Sequence, residues 1–126
     1  MTIKTNYLDN LNIVVHIGSD VVTAQDILHA ALEWEKHPDY DPGASTVWDL
    51  VAADFAVNWE QIKAWGPDIA ERFSSAVEPG GRTAWVVADD ITGIVVDSIQ
   101  LAFPWPREWR VFDDADAAID WLRKTK

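Results

Sequence analysis

Thr46-Val47-Trp48-Asp49-Leu50-Val51-Ala52-Ala53-Asp54-Phe55-Ala56-Val57-Asn58-Trp59-Glu60-Gln61 carries a near-continuous apolar run, counted from Ser45 to Leu50, the pattern of a strand covered on both faces. An acidic and aromatic turn follows. Asn58 then stands as an N-cap with Gln61 three residues on, which marks the start of a helix. Strand, turn and helix in that order form the repeating unit of an open α/β sheet, whose ligands sit in the crevice beyond the carboxyl ends of the strands. Here that crevice edge offers carboxylates and indoles and no Ser, Cys, His or Lys. Nucleophilic catalysis at this position lacks its central group.

On the N-terminal side, Ile3 to Leu8 and Leu11 to Ile17 are short apolar-rich runs separated by Asp9-Asn10, a pair suited to a tight antiparallel hairpin. Gly18-Ser19-Asp20 breaks the second run. Thr23 then caps a helix with Asp26 at the N3 position, and Ile27, Leu28, Ala31 and Trp34 form one apolar stripe at three- and four-residue spacing. His29, Glu33 and Lys36 fall on the opposite, water-facing side. The breakers in His37-Pro38-Asp39-Tyr40-Asp41-Pro42-Gly43 end this helix.

On the C-terminal side, Ile62, Trp65, Ile69 and Phe73 continue the helical spacing from Asn58 through Val77, with Gly66-Pro67 imposing a kink or a junction of two helices. Glu78-Pro79-Gly80-Gly81 is a turn into a strand over Thr83 to Ala88. Asp89-Asp90 opens Ile91 to Leu101, where β-branched side chains favour a strand locally. The spacing of Ile91, Ile94, Val95, Ser98 and Ile99 is nevertheless helical, and parallel strands need a crossover, so this segment is read as helix. Phe103-Pro104-Trp105-Pro106 is loop, Trp109 to Phe112 a short strand, and Asp113 to Arg123 a closing helix that buries Ala118, Ile119, Trp121 and Leu122. The expected fold is a single α/β domain over residues 1–126. Its mixed, mostly parallel sheet has about five strands with an N-terminal antiparallel hairpin, and about four helices accompany it.

Composition narrows the function classes. The 126 residues, 48% of them hydrophobic, suffice for one core. A formal net charge of -11 repels phosphates and anionic headgroups, which argues against nucleic-acid binding and polybasic membrane attachment. The chain has no Cys, so disulfides and thiolate chemistry are excluded, and a cytoplasmic location is the expectation. No apolar run reaches the roughly 20 residues of a membrane helix, so no membrane insertion is expected.

The element order and several motifs resemble the SpoIIAA-like branch of the STAS superfamily, small bacterial domains related in fold to the lipid-exchanging CRAL-TRIO proteins. The matching motifs are Val22-Thr23-Ala24-Gln25-Asp26, His37-Pro38-Asp39-Tyr40, Trp48-Asp49-Leu50, Ala84-Trp85-Val86-Val87-Ala88-Asp89-Asp90, and the segment from Arg110 to Leu122. Together they span nearly the whole chain. The resemblance implies a SpoIIAA/STAS-like fold and a role in binding a protein partner. Better-known members switch by phosphorylation of a serine in an Asp-Ser-Ser-Gly-type turn, whereas the corresponding place here reads Asp54-Phe55-Ala56-Val57-Asn58-Trp59. With no hydroxyl present, the phospho-switch does not carry over.

Asp49 with Asp54, Asp89 with Asp90, and Asp113 with Asp114 all follow expected parallel strands. Converging carboxylates would suit a divalent cation or, if one were desolvated, acid–base work. Helix capping is the simpler account, because free N–H groups and the helix dipole favour Asp at these positions. His16, His29 and His37 share no metal-binding spacing, and Gly80-Gly81 lacks the context of a phosphate loop. No metal and no cofactor is expected. Of the eight Trp, Trp34, Trp48, Trp65, Trp85 and Trp121 fall on apolar faces and read as core. Trp59, Trp105 and Trp109 stand apart: Trp59 in a first helical turn and Trp105 between two prolines occupy places where an indole lids a pocket or meets another subunit, with local packing the equal alternative.

The resulting expectation is a non-enzymatic STAS-like domain acting through a protein partner or a homodimer. Its binding edge comprises Asp49, Asp54, Trp59, Asp89, Asp90 and Trp105. A carrier or sensor of a small apolar, lipid-like ligand is the alternative, and a metal-assisted or acid–base enzyme the weakest one.

Overall fold

A computed structural model describes residues 3–41, 43–56, 82–89, 93–94 and 108–124. Its element order is β1 (Ile3–Leu8), β2 (Ile13–Thr23), α1 (Ala24–Glu35), β3 (Ser45–Ala56), β4 (Arg82–Val86), β5 (Glu108–Phe112) and α2 (Ala115–Arg123). The strands lie side by side in the order β1-β2-β3-β4-β5. β1 is antiparallel to β2, and every later pairing is parallel, which is the expected mixed sheet. Two helices occur among the described residues where about four were expected. The segments from Asn58 to Val77 and from Ile91 to Leu101 lie outside the described residues apart from Gly93 and Ile94. Those two are helical, and the Gly93 N–H donates to the Asp89 carbonyl at 3.2 Å.

Each face of the sheet carries one of the two helices. Ile13, Val47, Ala84 and Val86 alternate onto one side and pack with Ala118 and Leu122 of α2. Val22, Trp48 and Leu50 occupy the other side with Ala30 of α1, flanked by Ile27 and Ala31. A third cluster joins Val14, Trp34 and Ala44, with Tyr7 and Tyr40 against it. The helix ends follow from local chemistry. The Thr23 hydroxyl accepts the Asp26 N–H at 3.2 Å while the Asp26 carboxylate accepts the Thr23 N–H at 2.9 Å, a complete capping box. Asp114 caps α2, its carboxylate accepting the Asp116 N–H at 3.1 Å.

Three local expectations are corrected. The hairpin connection is not the two-residue Asp9-Asn10 turn but spans residues 9–12, with Asn12 as its left-handed residue at φ 53°. Tertiary bonds stabilise that choice: Tyr7 donates to the Asn12 side chain at 2.7 Å, and Asn12 donates to Asp41 at 2.8 Å. Gly18-Ser19-Asp20 does not break the second strand, which runs 11 residues to Thr23. The supposed turn after Leu50 is itself strand, since β3 continues for 12 residues to Ala56 and pairs with Ser19 to Thr23 of β2.

That continuation depends on a bulge and a glycine. Between Ile17↔Asp49 and Ser19↔Ala52, two steps along β2 match three along β3. The Asp49 carboxylate accepts the Val51 N–H at 3.2 Å, satisfying a donor within the irregular stretch. Opposite it, a Cβ on Gly18 would lie 3.0 Å from Val22 Cγ2, 3.1 Å from Leu50 Cδ2 and 3.4 Å from Ala53 Cβ. Gly18→Ala is therefore expected to cost about 1–3 kcal/mol through overpacking. Urea denaturation of the variant measures this, and an unchanged midpoint would show that Val22 and Leu50 give way freely.

Candidate functional site

Of the six residues of the expected acidic binding edge, Asp49, Asp54 and Asp89 fall among the described residues. Asp49 lies within β3, and its carboxylate is engaged by the Val51 N–H. Asp54 is exposed, five residues further along the same strand and level with Val21. Asp89 is exposed just beyond β4, and its carbonyl accepts the Gly93 N–H. Trp59, Asp90 and Trp105 lie outside the described residues. Among the described residues no three His, Asp or Glu side chains gather as a metal-holding group.

The bulge does bring Asp49 and Asp54 to one side. Strict alternation would place residues five apart on opposite faces of a strand. Leu50 and Ala53, however, both approach the Gly18 position on the inner side, so the extra residue resets the alternation. Their neighbours Asp49 and Asp54 consequently turn to the outer side together.

Apolar side chains share that outer side. Ile17 and Val21 flank the inward-facing Gly18 and Val22 and are 37% and 52% exposed; Val51, beside the inward Leu50, is 45% exposed. Among the described residues, β1 pairs with β2 up to Gly18, and β4 pairs with β3 up to Asp49. Ser19 to Thr23 and Ala52 to Ala56 thus form a two-stranded parallel ribbon that reaches past the described residues of the neighbouring strands. Parallel strands are ordinarily covered on both faces. Here α1 covers one face through Ile27, Ala30 and Ala31, while Val21, Val51 and Ala52 remain exposed on the other.

The inner face holds a feature that sequence reading missed. His16 is only 1% exposed and stacks on Trp48 at 4.1 Å between ring centroids with the planes 19° apart. Trp48 in turn stacks on Trp85 at 5.7 Å. The three rings occupy one register level of β2, β3 and β4, and Thr5 of β1 completes the row with its hydroxyl 2.8 Å from His16 Nδ1. Burial lowers the His16 pKa to about 4, so the imidazole is neutral near pH 7. The available signal was the alternation Val14, His16, Gly18, which puts the ring on the same face as a core valine. A lone histidine in an apolar run carries no sign of which face is buried.

The fold and its outer ribbon define a class: a mixed, mostly parallel α/β sheet domain with an antiparallel first strand and helices on both faces. No protein-family model matches the chain, and no curated protein matches it. Among solved structures, it is similar to an uncharacterized protein of the DUF3478 family with a SpoIIAA-like fold from Shewanella loihica PV-4. The TM-score is 0.60 at 15% sequence identity, and the match covers 95% of this chain and 91% of that one. Likeness at this identity is likeness of fold, and the fold is SpoIIAA-like. No helix among the described residues is long and apolar enough to cross a membrane.

Proposed function

We propose that this chain is a non-enzymatic SpoIIAA-like binding domain that works through contact with a protein chain, either a partner or a second copy. The observation that supports this reading is the outer face of the β2–β3 ribbon, where Ile17, Val21 and Val51 stand exposed and which no other described element covers, on a parallel pair whose inner face packs against α1. Such a pair gains stability when its second face is covered too, and a contiguous apolar patch rimmed by polar groups is the usual mark of a protein contact. This adds the ribbon to the contact region expected at Trp59 and Trp105, which lie outside the described residues.

Val21→Glu with Val51→Glu tests it, since both side chains are exposed and the core is untouched. Affinity capture from native extract and light scattering are compared for wild type and the double variant at matched melting temperature. The expected result is a defined chain, or a second copy, held by the wild type and lost by the variant. Equal retention by both, with a monomer at every concentration, would sink the reading.

A second reading, a carrier of a small apolar molecule, draws on the row of rings over His16, Trp48 and the half-buried Trp85. Native mass spectrometry of the freshly purified chain checks it. A ligand adduct that disappears in Trp85→Ala favours a carrier, and a clean mass for both proteins removes that reading.

A further inference from the structure

We draw no further inference here: the strongest candidate, the apolar outer face of the β2–β3 ribbon at Ile17, Val21 and Val51, belongs to the contact site already described, and nothing in the structure shows what covers it.

Discussion

Acidification from pH 7 to pH 4 is expected to remove about 3 kcal/mol of stability through His16 alone, the linkage value of a pKa lowered from 6.5 to about 4. Burial disfavours the imidazolium, so the folded state takes up the proton only near pH 4 whereas the unfolded chain takes it up near 6.5. Between those values the unfolded state binds more protons, and stability rises with pH. The contribution is complete above 6.5 and disappears as pH falls toward 4. Guanidinium unfolding at several pH values across this window measures the slope. His16→Phe keeps a ring against Trp48 and removes the titration, so its stability should vary less with pH than the wild type's. Carboxylates titrate in both proteins and cancel in the difference. Identical slopes would mean that His16 is hydrated in solution or that its protonation is balanced elsewhere.

Trp48→Ala is the substitution expected to damage the fold most, by about 3–5 kcal/mol, the range for emptying a buried aromatic site. Trp48 is 7% exposed in the third of five strands and is flanked on its own face by His16 and Trp85. Its removal opens a void between two rings that rigid strands on both sides cannot close. It also exposes the buried His16 to water, so the acid sensitivity described above should shrink in the same variant. Trp48→Phe retains the stacking surface and should recover most of the loss. Denaturant midpoints for the three proteins provide the check. A loss below about 1 kcal/mol for Trp48→Ala would show that the row of rings is not a packed unit.

The capped helices are the part of the fold that local chemistry wrote most openly. Thr23 and Asp26 satisfy each other's backbone N–H groups within four consecutive residues, so that boundary is readable without knowing what the helix packs on. Asp114 at the start of α2 is a similar case. The alternation of Ile13, Val15 and Val47, Asp49 with Val14, His16 and Thr46, Trp48 likewise separates the two sheet faces before any packing is known. The candidate site was less readable. Asp54 reads as a turn residue beyond a strand that ends at Leu50, yet it belongs to β3 together with Asp49, and their common side results from a bulge that no spacing in β3 announces.

Element order, the antiparallel start, the parallel remainder and the water-facing side of α1 are all carried by periodicity and capping, interactions that span a few residues and are complete within a short window of chain. The length of β2 and β3, the bulge at Asp49 to Ala52, the contact around Gly18 and the burial of His16 were decided only when distant segments met. Gly18-Ser19-Asp20 and Ala52-Ala53-Asp54 read singly as chain breaks, because Gly and Asp are poor strand formers on their own. Paired in register, each supplies the other's hydrogen bonds, and the missing Cβ of Gly18 admits Val22, Leu50 and Ala53. Strand pairing draws its free energy from residues tens of positions apart, and for that reason the ribbon with its exposed outer face emerges in three dimensions and not in the order of amino acids.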